Sequence, residues 1–163
     1  MTSSDQGLVR IDDPELARDI TRARMQLLLE QPSLAAAVMR IPVVQVHSDL
    51  LAEGIGIAPG AIIVSQALRL KAQQLVAYAY GHNIIHALFE HLERRGRRQE
   101  EEWNIAIDIA TAALYDPILD PSMQNQSSEY DIRPPRSTKF DALVQSLGHL
   151  SCEQIYQRLI EEK

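Results

Sequence analysis

Apolar residues fall into helical spacing soon after the chain begins. Leu16, Ile20, Ala23 and Leu27 follow Asp13-Pro14-Glu15, which offers an N-cap, a proline suited to the first helical position and an acid in the first turn. A helix to about Glu30 is predicted. Pro32 then ends it and opens a second short helix over SLAAAVMR. Between Ile41 and Ser65 the texture changes, because VVQV, GIGI and AIIV are short β-branched runs bounded by Pro and Gly, with Ala58-Pro59-Gly60 as the turn. This predicts a small sheet with one hairpin. From Ser65 to Arg95 a single long helical pattern contains no proline, has Gly81 as its weak point and closes at Gly96. A further helix, apolar on most sides, is expected from about Glu101 to Tyr115, stopping before Asp116-Pro117. Residues 117 to 138 read as a long surface loop and Phe140 to Leu147 as a short helix. Ser151-Cys152-Glu153-Gln154 is a capping-box pattern for a last helix to about Glu162. The chain is therefore expected to be α+β, mainly α, with residues 1–11 as a polar leader and 12–163 as a single domain.

Composition narrows the function classes. With 163 residues, 45% hydrophobic and 23% charged, the chain has the balance of one soluble domain with a core. Aromatics are only 5%, so that core is built mostly from aliphatic helix faces. No apolar run approaches the roughly 18 to 20 residues of a membrane span, and the start lacks the basic-then-apolar build of a signal peptide. A cytoplasmic protein without a membrane partner is expected. Cys152 stands alone, which excludes an internal disulfide and any CxxC site, so a metal must be held by histidines and carboxylates. A net charge of -6 and a pI near 5.3 argue against nucleic acid as a partner.

The chemistry concentrates in residues 81 to 110. His82 and His86 are four apart, which on a helix puts both imidazoles on one face about 6 Å apart along the axis, close enough to share an ion. Leu75, Tyr78, Ala79 and Phe89 share that face and set the pair against an interior. Two histidines at this spacing also arise by chance. On the next helix Asn104, Asp108, Thr111 and Tyr115 form one stripe, and Trp103, Ile107, Ala110 and Leu114 an apolar one. A carboxylate such as Asp108 in so apolar a helix needs a metal or a counter-charge, and a nearby arginine would serve as well. A hydrolytic zinc site typically takes three protein ligands and a water, which His82, His86 and Asp108 would supply. His91 is the alternative ligand. On an unbroken helix it points about 180° away from His82, so it joins only if the helix unwinds first. His47 and His149 read as ordinary polar residues, and Glu100 to Glu102 beside Arg94, Arg95, Arg97 and Arg98 as a solvated connection, with a docking surface as the alternative.

HNIIH, EHLERRG, WNIAID and SCEQIYQRL occur in that order. The series resembles a bacterial metallopeptidase domain usually fused to a von Willebrand factor A-like domain and encoded beside an AAA+ ATPase. That family shows an HExxH helix, a stretch reading like gHxxRrg, a wniAaD segment and a SaEeIYxxL helix. ARMQLLLEQPSLAAAVMRIPVV also looks like the family's N-terminal helices, so the similarity covers most of the chain. The resemblance implies a zincin-like architecture, a small sheet packed against the histidine-bearing helix with an edge open to an extended peptide. It also implies zinc on His82 and His86, Asp108 as third ligand, and Arg94 and Asn104 as supporting residues, with helix capping and solvation explaining Arg94 equally well.

Two departures matter. The HExxH glutamate is the general base and proton shuttle, and Asn83 stands there instead. A neutral amide orients a water but accepts no proton near neutral pH. Ala112 replaces the asparagine that the family carries four residues beyond the aspartate. Glu90 and Glu93 lie too far along a helix to stand in for the base. The expected function is therefore a zinc-binding, metallopeptidase-like pseudoenzyme with weak or no peptide hydrolysis that binds a peptide or protein. The alternatives are an active zinc peptidase with another base and a metal-free helical adaptor. Because the domain takes up the 163 residues, a von Willebrand factor A-like protein or an AAA+ ATPase supplied in trans is the expected partner.

Overall fold

Asp13 does what its position predicts. Its carboxylate accepts from the backbone N–H groups of Glu15 and Leu16 at the start of α1 (Pro14–Glu30), with Pro14 in the first turn. The computed structural model describes residues 9–47, 51, 53–119 and 136–162, and the chain divides into two compact units, Met1–Leu92 and Glu93–Lys163.

In the first unit α1 buries the four residues its periodicity singled out, Leu16, Ile20, Ala23 and Leu27. A 3-10 turn over Pro32–Leu34 leads into α2 (Ala35–Arg40), and the chain enters the sheet. Its strands are β1 (Val9–Arg10), β2 (Val43–Gln45), β3 (Ile55–Ala58) and β4 (Ala61–Val64), in the order β1-β2-β4-β3. β2 runs parallel to both β1 and β4, whereas β3 and β4 form the expected hairpin, with Ala58 opposite Ala61. Gly60, at φ 69°, supplies the left-handed residue that its Pro-Gly turn requires. α3 (Gln73–Leu88) packs on α1 and on β3 and β4. The small sheet thus lies against the helix that bears His82 and His86.

Two expectations change here. Val9 and Arg10, read as part of a polar leader, pair with Val43 and Val44. Gln45 reinforces this junction by accepting from the backbone N–H groups of Asp12 and Asp13. A two-residue parallel strand is too short to leave a period in sequence. The helix expected from Ser65 to Arg95 is instead a 3-10 segment (Gln66–Leu70), α3, and a second 3-10 turn (Glu93–Arg95). Neither break needs a proline. Ala72 takes an extended conformation before α3, and Glu90 takes a left-handed one after it.

Gly54 lies close against the backbone of Leu68. Its φ is 77°, and a Cβ there would stand 2.3 Å from the backbone nitrogen of Leu68. Gly54→Ala is therefore expected to lower stability by about 2–4 kcal/mol, from strain and overpacking together. Urea unfolding checks this, and a midpoint equal to that of the unsubstituted protein would refute it.

The described residues of the second unit form helices and their connections. α4 (Glu100–Leu119) packs against α5 (Thr138–Leu147) and α6 (Cys152–Glu161). Trp103 and Ile107 bury against Cys152, and Ala106 and Ile109 against Ile155. Arg98 lays its guanidinium 4.9 Å from the centre of the Trp103 ring. The expected stop before Asp116-Pro117 is not observed, since α4 runs through Pro117 to Leu119. Proline in a last turn forfeits the bond to the carbonyl four residues back, but breaks nothing beyond it. Arg136 grips Asp116 at 2.6 Å, tying this turn to the start of α5. Most of the expected loop, residues 120–135, lies outside the described residues. The α5 and α6 predictions hold, with Ser137 capping the former and the Ser151/Gln154 capping box opening the latter. Among the described residues no helix is long and apolar enough to cross a membrane.

Candidate metal centre

α3 owes its form to the run Leu75-Val76-Ala77-Tyr78-Ala79-Tyr80, which gives it apolar surface on several sides. Its last two turns carry the histidines. The Nε2 atoms of His82 and His86 lie 2.8 Å apart, with the ring centres 4.6 Å apart and the planes tilted by 58°. His86 is buried, His82 is partly buried, and Tyr78 stacks against the His82 ring. At this distance two lone pairs would repel, so one Nε2 carries the hydrogen when the rings meet directly.

The pair can be tested against zinc on its own geometry. Two nitrogens bonded to one tetrahedral zinc at about 2.0–2.1 Å stand roughly 3.3 Å apart. Opening the contact by about half an ångström would meet that demand. The two nitrogens face each other, which is the disposition a shared ion needs. Among the described residues, His82, His86 and Asp108 form a group whose side chains could hold a metal ion, one ligand atom from each. Asp108 stands on α4 in the second unit and is partly buried, as a carboxylate with a task or a partner in an apolar helix should be.

The end of α3 decides the place of His91. Phe89 is the C-cap, Glu90 follows at φ 53°, and the N–H groups of Glu90 and His91 donate to the carbonyls of Ala87 and His86. This is a Schellman closure, which normally uses glycine at the left-handed position. It turns the chain back. His91, 4% exposed, comes to rest with its Nδ1 3.0 Å from Nδ1 of His86. The helix does unwind before His91, the condition under which it was expected to join the cluster. Nothing in the helical period announces such a closure when the left-handed residue is a glutamate, although the resembling stretch gHxxRrg has glycine there. Glu90→Gly is accordingly expected to stabilise the protein by about 1 kcal/mol, raising its melting temperature by about 2–4 °C. A fall in melting temperature would contradict the assignment of Glu90 as the strained residue.

The remaining candidates divide. Asn83, in the place of the general base, is partly buried and donates from Nδ2 to the carbonyl of Ala79 at 2.8 Å. Its amide is thus partly used by its own helix. Arg94 forks onto Glu153, with Nε and one terminal nitrogen 2.7–3.0 Å from the carboxylate oxygens. Burial pushes the Glu153 carboxyl up, but hydrogen bonds from Arg94, from its own backbone N–H and from Cys152, together with the Arg94 charge, outweigh this and hold it below the usual range. Arg94 of EHLERRG and Glu153 of SCEQIYQRL are therefore joined by an ion pair within the second unit. Asn104 is exposed, as are His47, His149, Glu90 and Glu93. Thr111 and Tyr115, on the Asp108 stripe, are buried.

Comparison of the chain with models of protein families, with curated proteins and with solved structures finds no match.

Proposed function

We propose that this protein is a metal-binding, zincin-like domain in which His82, His86 and Asp108 hold a divalent cation, zinc being the best fit to two imidazoles and a carboxylate. The observation that carries the reading is the approach of the two Nε2 atoms to 2.8 Å on the buried side of α3. The order of the four sequence blocks supports it, as does the packing of the sheet on this helix. Zinc supplies Lewis acidity when bound. The chain's own contribution is to hold the ion in a partly dry setting and to present a peptide. β3, at the end of the strand order, suits an extended peptide that adds to the sheet.

Peptide hydrolysis is weak or lost. Asn83 accepts no proton, and its amide nitrogen is tied to Ala79. The work of the domain is then to bind a peptide or a protein, a von Willebrand factor A-like protein or an AAA+ ATPase in trans being the partners that the sequence resemblance suggests.

Metal analysis and thermal unfolding test the reading. Protein purified without chelator is expected to carry zinc near one equivalent, and a chelator is expected to lower its melting temperature, since an ion bound only to the folded state stabilises it. No zinc together with an unchanged melting temperature would instead assign the imidazole contact to a metal-free helical adaptor.

A further inference from the structure

Other histidines engage both ring nitrogens of His86. Nε2 meets His82 at 2.8 Å, and Nδ1 meets Nδ1 of His91 at 3.0 Å. The position of His91 is determined several times over. Its backbone N–H donates to the His86 carbonyl at 3.1 Å, its ring stacks on Phe89 with planes 23° apart, and it meets His86 edge-on at 77°. His86 and His91 are each 4% exposed, so water has little access to this contact.

A neutral imidazole has one lone pair and one N–H, so the role of either nitrogen fixes that of the other. If Nε2 of His86 gives its lone pair to an ion, Nδ1 must carry the hydrogen and needs an acceptor. We propose that His91 is a positioning residue for His86, accepting the Nδ1–H of His86 at its own Nδ1 and so holding that ring in the tautomer and plane that present Nε2 to the ion shared with His82. The inference rests on the metal reading above and deepens it. It removes His91 from the ligand set, because the His91 nitrogen that faces the cluster is occupied by the far side of the His86 ring. The Glu90 turn acquires a purpose, since it delivers the acceptor.

The test uses the full chain, labelled with ¹⁵N and loaded with Zn²⁺ alone. Long-range ¹H–¹⁵N spectra should show His86 with metal-bound Nε2 and protonated Nδ1, and His91 with an unprotonated Nδ1 that lacks a metal shift. In competition with a chromophoric chelator, His91→Leu should bind zinc about 10–100-fold more weakly. His91→Asn, whose carbonyl oxygen accepts the same hydrogen, should recover most of the loss. Unchanged affinity in His91→Leu, or a metal-shifted His91 nitrogen, overturns the inference and leaves the metal reading standing. A wild-type protein that takes up no zinc overturns the metal reading and this inference with it. Should His91→Leu fail to fold, the tautomer of His86 in the wild-type protein decides.

Discussion

His86→Ala is expected to abolish the stabilisation that zinc confers. At free zinc 100-fold above its dissociation constant, an ion bound only to the folded state adds about 2.7 kcal/mol. The variant should gain nothing from the same addition. Because His86 is 4% exposed, removing the ring also leaves a void that destabilises the protein with or without metal. The informative quantity is therefore the difference between melting temperatures with and without zinc, measured for each protein. His82→Ala should behave alike, having lost the facing nitrogen. Asp108→Asn separates a third ligand from a bystander, since an amide oxygen binds zinc far less well than a carboxylate. A full zinc response in Asp108→Asn would move the third ligand elsewhere, and a full response in His86→Ala would end the metal reading.

Asn83→Glu is expected to raise peptide hydrolysis by about 10²- to 10⁴-fold, the contribution typical of a positioned general acid–base. The substitution suits its place. Glutamate is a better helix former than asparagine, and what it gives up locally is one hydrogen bond to the Ala79 carbonyl. Release of fragments from casein by the zinc-loaded variant, set against the zinc-loaded wild type, reads the effect. Hydrolysis already strong in the wild type would mean that another group takes the proton. No gain in the variant, with zinc bound, would mean that the pocket does not admit a peptide bond, and the peptidase-like part of the reading would fall.

Much of the fold was legible because single residues state it plainly. Asp13 and Pro14 begin a helix, Pro59-Gly60 turns a hairpin, and Ser151 with Gln154 opens a helix, each through local bonds that depend on few neighbours. The structure departs from local preference where a distant partner or an unusual backbone conformation decides. Pro117 looks like a stop, yet it falls in a last turn that Arg136 fastens through Asp116. The run from Ser65 to Arg95 looks like one helix, since no residue in it forbids a helix. Its breaks come instead from Ala72 and from a glutamate in a conformation that glycine usually adopts. The site shows the same division. The spacing of His82 and His86 follows from the helical repeat, and the structure gives it as a 2.8 Å contact. That His91 belongs beside them could not be read from the repeat, because its place depends on the repeat ending.

The parallel pairing of β2 with both of its neighbours bears on how the molecule assembles. Val9 must find Val43, and Val43 must find Ile62, so two of the three strand pairings among the described residues join residues far apart in the chain. In the second unit the core likewise joins residues far apart, since Trp103 buries against Cys152 and Ala106 against Ile155, across the length of α5. Contacts of long sequence separation slow folding through the entropy of closing the intervening loop. Stopped-flow refolding should accordingly show no fast local recovery of Trp103 fluorescence, since burial of that ring waits on α6 as the sheet waits on β2.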